Sequence, residues 1–310
     1  MRFVTYSDGP ADRVGVLSGE QIHALAPGVT LRGLLGDDGE RLHQAGERAL
    51  RDPHDVVALA GAPLRAPIPD PPTVRDFMTF QQHVEGTLGL AGGNAGIPPR
   101  WFDAPAFYFT NPYAVLGPHD DVPVPPGCTL FDFELEVAAV IGLGGRDVPA
   151  SEAERHIVGY CLLNDWSARD LQFAEMAVRL GPAKGKDTSL TLGPVLVTAD
   201  ELAPHRSGTA FDLGMTAAVN DAVIGTDRWD AMHFSYAEMI EYASRGTQVR
   251  PGDVLGSGTC GGGCLAELWG RKGWDAHPPL RPGDTVTISV DVLGEITSKI
   301  VAYPSAGHGE

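Results

Sequence analysis

The sequence has few basic side chains for its acidic content. Its 310 residues include 23 Lys and Arg against 40 Asp and Glu, which gives a formal net charge of −17. A surface of that sign repels phosphate backbones and anionic lipid headgroups. The composition therefore argues against both nucleic acid and membranes as partners.

Long apolar runs and cysteines are also scarce. No apolar run approaches the roughly 20 residues that a membrane-spanning helix needs, and residues 1–9 lack the basic and apolar regions of a secretory signal. Four cysteines are too few for a disulfide scaffold in a chain of this length. We therefore expect a globular protein of the cytoplasm.

Glycine and proline, in contrast, are abundant. The chain has 39 Gly and 25 Pro, spread over its whole length without a repeat. This even distribution of glycine and proline is typical of many short strands joined by tight turns. It predicts a mixed β fold with short helices and a sheet rolled on itself, rather than a doubly wound α/β layer.

A proline-rich segment divides the chain, since residues 63–72 contain five prolines. Proline lacks an amide hydrogen and fixes φ, so we interpret this segment as an extended linker that cannot join a β-ladder. Before it, strands are predicted at 2–6, 14–17 and 21–25, with a helix at 42–50. The predicted units are a small N-terminal α+β domain (1–62), the linker (63–72), a β-rich domain (73–304) and a tail (305–310).

Local signals place several elements in the second domain. Residues 131–141 alternate and then become wholly apolar, which predicts a strand entering a buried core. Ser151 with Glu154, and Ser235 with Glu238, have the spacing of a capping box at a helix start. Arg-Pro-Gly-Asp occurs at 250–253 and 281–284, and each copy predicts a type II turn before a strand.

The first element with chemical content is Glu134-Leu135-Glu136. Residues i and i+2 of a strand point to the same face, so two carboxylates project together from an apolar strand. Buried charges of one sign need compensation, and a divalent cation with oxygen ligands such as Mg²⁺, Mn²⁺ or Ca²⁺ would supply it. The alternative is a solvent-facing edge with ordinary exposed acids, which such pairs often are.

Other polar residues lie where they could join that pair. Asp165 ends an apolar strand and is either a further oxygen ligand or a helix N-cap. Asp76 offers another carboxylate, and His83 can move a proton near neutral pH, although a lone histidine is more often a surface residue. Lys186 could hold an anionic substrate or belong to a solvated charge cluster.

Four segments together resemble the fumarylacetoacetate hydrolase family. They are Asp-Phe-Glu-Leu-Glu at 132–136, Asn-Asp-Trp-Ser-Ala-Arg-Asp at 164–170, Gly-Pro-Ala-Lys-Gly-Lys-Asp at 181–187 and Gly-Ser-Gly-Thr at 256–259. They occur in the family's order, and the resemblance extends from about Pro71 to Val301. The family includes fumarylacetoacetases, acylpyruvases, 2-oxo acid decarboxylases and related hydratases and isomerases.

The resemblance implies a role for each matching position. Glu134, Glu136 and Asp165 match the carboxylates that bind the family's catalytic Mg²⁺ or Ca²⁺, and Asp76 matches a fourth ligand in the fumarylacetoacetase branch. The remaining matches are the catalytic histidine His83, the glutamate Glu267 that orients it, the substrate-contacting Lys186, and the pocket positions Arg169, Gln172 and Thr259.

The resemblance also implies a fold and a reaction. The fold is a β-roll behind a smaller N-terminal domain, usually in a homodimer that acts on a small molecule. The reaction expected first is metal-dependent hydrolysis of a C–C bond in a 1,3-diketone or acylpyruvate-type 2-oxo acid. Decarboxylation, hydration or isomerisation of a 2-oxo acid such as oxaloacetate is the alternative, and a non-catalytic relative is a third reading.

Several positions depart from named members of the family. Glu85 lies two residues after His83, so the His-x-x-Glu spacing of acylpyruvases is not reproduced. Met78 and Met176 stand where fumarylacetoacetase has pocket tyrosines, and glycines stand where it has a pocket arginine. Residues 89–96 are rich in glycine, which suggests a lid over the substrate.

Overall fold

The computed structural model describes residues 1–9, 11–91 and 96–304. Residues 92–95 of the predicted lid and residues 305–310 of the predicted tail lie outside this description. The helices are short: α1 (Glu40–Arg51), α2 (Gln81–Thr87), α3 (Pro99–Asp103), α4 (Ala150–Ala153), α5 (Arg169–Ala177), α6 (Ala199–Leu202), α7 (Tyr236–Ser244) and α8 (Leu265–Lys272).

The strands dominate, as the sequence predicted, and the mixed β fold with short helices is confirmed. They are β1 (Arg2–Asp8), β2 (Ala11–Ser18), β3 (Gln21–Ala24), β4 (Asp55–Ala58), β5 (Leu64–Arg65), β6 (Val74–Phe77), β7 (Phe107–Thr110), β8 (Val115–Leu116), β9 (Val122–Pro123), β10 (Phe131–Asp132), β11 (Leu135–Ile141), β12 (Gly145–Arg146), β13 (Ile157–Asp165), β14 (Ser167–Ala168), β15 (Leu190–Thr198), β16 (Arg206–Ser207), β17 (Ala210–Phe211), β18 (Gly214–Val219), β19 (Ala222–Arg228), β20 (Gln248–Val249), β21 (Val254–Gly256), β22 (Thr285–Val290) and β23 (Gly294–Val301).

One large sheet organises the molecule. It has 12 strands, ten of them in the order β4-β3-β2-β1-β15-β13-β11-β21-β6-β7, with β5 on β1 and β8 on β15. A second sheet has the order β19-β18-β22-β23-β9. The centre of the large sheet, from β13 to β6, carries the acidic residues singled out above, so the sheet fixes their positions.

Both faces of the large sheet are buried at its centre. On β11, Val137, Ala139 and Ile141 belong to one apolar core, whereas Ala138 and Val140 belong to another. Alternate residues of a strand point to opposite faces. The wholly apolar run in the sequence is therefore the consequence of burial on both faces.

The two cores have different partners. The second sheet contributes Ile288 and Ile300 to the core that contains Val137. Helix α1 contributes Leu42 and Ala45 to the core on the opposite face. No helix among the described residues has the length and apolar character needed to cross a bilayer.

The interpretation of 63–72 as a linker unable to join a ladder is wrong. Leu64 and Arg65 form β5 and pair with Tyr6 and Thr5 of β1. These two residues are not prolines and keep their amide hydrogens, which permits a short strand within the segment. Strand β1 also pairs with β15, so residues 1–62 continue the large sheet, and a domain boundary at this point stays a prediction.

The predicted strand at 131–141 is interrupted. It consists of β10, which pairs with β14, and β11, which pairs with β13 and β21. Between them the amide of Glu134 donates to the side-chain oxygen Asn164 Oδ1 of β13 at 3.0 Å and not to a backbone carbonyl. A side-chain acceptor thus replaces one backbone acceptor of the ladder at the point where the chain enters the acidic cluster.

The local helix and turn signals had different outcomes. Ser235 and Glu238 form the predicted capping box at α7. The box predicted from Ser151 is wrong, because α4 begins after Pro149 and has no side-chain cap. Both Arg-Pro-Gly-Asp segments are turns before β21 and β22, each closed by the aspartate amide donating to the arginine carbonyl.

Candidate active site

Four buried carboxylates converge at the centre of the large sheet. Asp76 lies on β6, Glu134 directly before β11, Glu136 on β11, and Asp165 at the end of β13. Each offers an oxygen, and these oxygens all lie within 4.8 Å of one another. The structure therefore brings together the four residues that the sequence suggested as metal ligands, and it places none of them on a solvent-facing edge.

A glycine makes this convergence sterically feasible. Strand β21 runs between β11 and β6 and ends at Gly256. A Cβ atom there would lie 2.7 Å from Asp76 Oδ1 and 2.9 Å from Glu136 Oε2. Any side chain at this position would thus displace two of the four carboxylates.

The cluster has the donor set and the unsatisfied atoms of a cation site. Asp76 Oδ1, Glu136 Oε1 and Asp165 Oδ1 are buried without a hydrogen-bond partner. Burial raises the pKa of Asp165 to about 7, and burial together with the charge of Asp76 raises that of Glu136 well above its usual range. Carboxylate oxygens in such numbers fit a hard divalent cation such as Mg²⁺, Mn²⁺ or Ca²⁺.

Lys186 is part of this cluster. Its Nζ lies 2.6 Å from Glu134 Oε2 and 2.7 Å from Asp165 Oδ2, and it donates to Ser167 Oγ at 2.7 Å. Burial alone would lower the pKa of Lys186, but the charges of Asp165 and Glu134 raise it above its usual value. Lys186 therefore stays charged and partly neutralises the acids that it contacts.

Arg169, predicted as a pocket residue, is the second cation of the site. Its guanidinium donates to Asp132 Oδ2 at 2.9 and 2.7 Å, to Glu134 Oε1 at 2.7 Å and to Gln172 Oε1 at 3.1 Å. Burial would raise the pKa of Glu134, but Lys186 and Arg169 together lower it. Glu134 is thus ionised and held in place from both sides.

Sequence reasoning missed Tyr108. This residue of β7 pairs with Asp76 of β6. Its hydroxyl lies 2.7 Å from Asp76 Oδ2 and also contacts Asp165 Oδ2, so its single hydrogen can be donated to either carboxylate. Burial, reinforced by the charge of Asp165, raises the pKa of Tyr108 well above its usual value, so the phenol keeps its proton. No sequence signal marks it, because its role depends on the pairing of two strands about 30 residues apart in the chain.

His83 lies on α2 beside the carboxylates. Its Nδ1 is 3.5 Å from Glu267 Oε2 of α8 and 3.8 Å from Cys264 Sγ. A ring nitrogen also lies within 4.8 Å of a Glu134 carboxylate oxygen. The histidine is 7% exposed, so it is a buried group and not the surface residue that the sequence left open.

Glu267 is itself fixed from two directions. Its Oε1 lies 2.6 Å from Arg271 Nη2, and its Oε2 accepts from the amide of Gly262 at 2.7 Å. A carboxylate held in this way orients the imidazole ring that it faces. The arrangement is a histidine–carboxylate pair directed at the acidic cluster.

A cavity of about 750 Å³ opens onto these residues. Three further site residues are buried and are not among the residues that line it, namely Glu136, Asp165 and Glu267. The site residues that line it are Asp76, His83, Tyr108, Glu134, Arg169, Gln172, Lys186 and Thr259. The cavity therefore gives a small molecule access to the histidine and to the carboxylate cluster together.

Comparisons with known proteins show which family the chain resembles. The family model described as "Fumarylacetoacetate (FAA) hydrolase C-terminal" matches residues 73–301. The chain is 29% identical to the mitochondrial oxaloacetate tautomerase fahd2 of Xenopus laevis over 97% of this chain and 90% of that protein. It is 28% identical to the fumarylacetoacetase of Arabidopsis thaliana over 74% of this chain and 69% of that protein.

A solved structure extends the agreement to the whole fold. The probable 2-hydroxyhepta-2,4-diene-1,7-dioate isomerase of Mycobacterium abscessus superposes with a TM-score of 0.71 at 25% identity, covering 98% of this chain and 99% of that one. Hydrolase, tautomerase and isomerase thus all occur among the similar proteins. With its family match, its fold and its central acidic site, the chain belongs to the fumarylacetoacetate hydrolase family.

Proposed function

We propose that this member of the family is a metal-dependent hydrolase that cleaves a C–C bond in an acylpyruvate-type 2-oxo acid. The observation that carries the proposal is the buried pair of His83 and Glu267, 3.5 Å apart, beside the carboxylate cluster. Hydrolysis needs a base for water in addition to a cation site, and this pair supplies one.

The four carboxylates of Asp76, Glu134, Glu136 and Asp165 would hold the cation. When bound, a divalent ion supplies a Lewis acid for the two oxygens of a 1,3-dicarbonyl and for the negative charge that develops as the C–C bond breaks. Family members are typically metal-dependent, and the unpartnered oxygens of the cluster support the same dependence here.

His83 takes the proton in this mechanism. It abstracts a proton from a water molecule, whose oxygen forms a bond to the acyl carbon remote from the carboxylate. The bond from that carbon to the central CH₂ then breaks, and the CH₂ carbon receives the proton that His83 holds. The products are a carboxylic acid and pyruvate, and Glu267 keeps the ring oriented throughout.

Lys186 and Arg169 act mainly through the cluster. Each is engaged with carboxylates at 2.6–2.9 Å, so neither is a free cation for the substrate. Their charges keep Glu134 ionised and fixed in position. Lys186 in addition lines the cavity and places positive charge near the developing enolate.

Tautomerisation or decarboxylation of oxaloacetate is the second candidate. It is favoured by the likeness to oxaloacetate tautomerase over 97% of the chain. Tautomerisation moves a proton but leaves the carbon skeleton whole. Decarboxylation needs an electron sink but no activated water, so it should tolerate the loss of His83.

The test is a Mg²⁺-dependent assay on acylpyruvates, fumarylacetoacetate-like diketoacids and oxaloacetate, with wild type and His83→Ala. Release of pyruvate from an acylpyruvate that is lost in His83→Ala supports the hydrolase. Oxaloacetate turnover with an intact skeleton supports the tautomerase, and carbon dioxide release that survives His83→Ala supports the decarboxylase.

The proposal includes a homodimer in the cytoplasm, and light scattering after size-exclusion chromatography measures the assembly.

A further inference from the structure

The outer part of the active-site cavity is apolar. Two of its residues, Phe173 and Met176, lie on α5, on the same side of the cavity as Gln172. Met176 is 52% exposed, and such apolar side chains gathered in one concave site mark a ligand surface rather than scattered surface residues. The outer part is marked by the exposed apolar lining residues, with two half-buried ones beside them: exposed Met78, Phe173, Met176 and Trp274, and half-buried Leu90 and Phe107.

The described part of the cavity wall offers no free arginine or lysine for a second carboxylate. Among the lining residues that the structure describes, Arg169 and Lys186 are the arginine and lysine side chains, and both are paired with carboxylates. Residues 92–95, outside the description, are Gly-Gly-Asn-Ala and carry no charge. A second anionic group at the outer end would therefore be desolvated against apolar side chains without compensation.

We propose that this outer part is a subsite for an uncharged, apolar alkyl or aryl group. The ligand is then a 2-oxo acid whose single carboxylate faces the cation that the cluster would hold and whose apolar chain extends toward Phe173 and Met176. For the substrate of the hydrolysis this means an acylpyruvate with an apolar acyl group. That last step rests on the proposed function, whereas the binding preference does not.

Binding of unreactive ligands tests the subsite without turnover. Straight-chain 2-oxo acids from pyruvate to 2-oxooctanoate lack the second carbonyl that C–C hydrolysis needs, and calorimetry on the Mg²⁺-loaded protein measures their affinity. We expect the affinity to rise about fourfold per added methylene once the chain reaches the apolar residues. 2-Oxoadipate, which matches 2-oxohexanoate in length but carries a second carboxylate, should bind more weakly.

A matched pair of variants locates the effect. Met176→Arg places a cation in the subsite and should narrow the affinity gap between 2-oxohexanoate and 2-oxoadipate by about tenfold. Val178→Arg is the control, because Val178 lies two residues away, is 75% exposed and does not line the cavity. It should leave the gap unchanged.

The outcomes separate the subsite from the reaction. Affinities that do not change with chain length, or 2-oxoadipate bound as tightly as 2-oxohexanoate, would overturn the apolar subsite whatever the enzyme catalyses. Equal effects of Met176→Arg and Val178→Arg would overturn its location on α5. If the protein shows the expected binding pattern but releases no pyruvate from any acylpyruvate, the apolar subsite is supported and the proposed hydrolase function is wrong.

Discussion

At the scale of single residues, the site is a balance of buried charges. Four carboxylates face two cations, and Arg169 divides its charge between Glu134 and Asp132. Burial, together with the charge of Asp76, raises the pKa values of Asp165 and Glu136. Burial would also raise the pKa of Glu134, but its contacts with Lys186 and Arg169 lower it. A bound divalent cation relieves this imbalance.

Glu136→Gln tests the ligand role of a single carboxylate. The side chain keeps its size but can no longer ionise to bind a cation, so Mg²⁺ affinity should fall by at least about tenfold. The metal-free protein should unfold at the same or a higher denaturant concentration, because a buried acid without a cationic partner is removed while the glutamine oxygen can still accept from the amide of Gly258. Calorimetric titration and denaturation measure the two effects.

The exposed Glu85 supplies the control for that experiment. Glu85→Gln removes the same charge near His83 without touching the cluster, and Mg²⁺ affinity should be unchanged. Equal losses in Glu85→Gln and Glu136→Gln would mean that the general acidity of the region, not the cluster, attracts the cation.

Glu267→Gln tests the orientation of His83. The amide cannot hold an imidazolium as the carboxylate does, so kcat should fall by about 10- to 100-fold with little change in KM. Mg²⁺ affinity should stay at the wild-type value, since Glu267 is not among the four clustered carboxylates. Steady-state kinetics that show an unaltered kcat would exclude the pair as the water-activating base.

At the scale of elements, the strands control the site through close approach. Strand β21 can lie between β11 and β6 with carboxylates on both sides only because it ends in glycine. The start of α8 fixes a further acid next to the cluster. The amides of Leu265 and Ala266 at this helix start donate to the carboxylate of Asp132, which in turn binds Arg169. The site thus depends on backbone geometry as much as on the acids themselves.

Gly256→Ala should damage the site more than the fold. The added methyl group lies under 3.0 Å from oxygens of Asp76 and Glu136, so these side chains must move apart. We expect at least about a tenfold loss of Mg²⁺ affinity, measured by titration, with the β-sheet signal in circular dichroism retained. Wild-type affinity in this variant would show that the four carboxylates do not need their present spacing.

Ser235→Ala tests the one capping box that formed. It removes the side-chain cap of α7 and should lower the free energy of unfolding by about 1 kcal/mol. Ser151→Ala is the matched control, because α4 has no side-chain cap and the change should have almost no effect. Chemical denaturation of both variants checks the difference, and equal losses would contradict the assignment.

At the scale of the whole molecule, the buried acids couple metal binding to stability. Burial raises the pKa of Asp165 from 3.8 to about 7, with Lys186 acting in the opposite direction. Between these pH values the folded, metal-free protein holds a proton that the unfolded chain has lost. The free energy of unfolding therefore falls as the pH rises through this window.

Mg²⁺ should reverse that dependence. It binds the deprotonated acids, so its stabilisation should grow as the pH rises and its binding should release protons. Thermal denaturation at about pH 5 and about pH 8, with and without Mg²⁺, measures the effect, and Asp165→Asn should flatten the metal-free slope. A metal-free stability that rises across this window would contradict the protonated cluster.

Much of the fold was readable from local sequence because the signals were local. The turns at 250–253 and 281–284 and the capping box of α7 follow from a few adjacent residues. The sequence predicts a continuous strand at 131–141 and gives no sign of its break. The break depends on Asn164 of another strand, whose side chain accepts the hydrogen bond of the Glu134 amide in place of a backbone carbonyl. The pairing of β5 with β1 was likewise missed, since it joins segments about 60 residues apart.

Residue types and motifs alone specify the chemistry available to this protein: the acids, the histidine, the lysine and the family to which their motifs point. The tertiary structure sets what each residue touches. It placed Tyr108 on two of the acids, engaged Lys186 with Glu134 and Asp165, and lined the outer cavity with apolar side chains. This division arises because residue type and spacing act locally along the chain, whereas charge compensation and cavity shape come from the packing of distant strands.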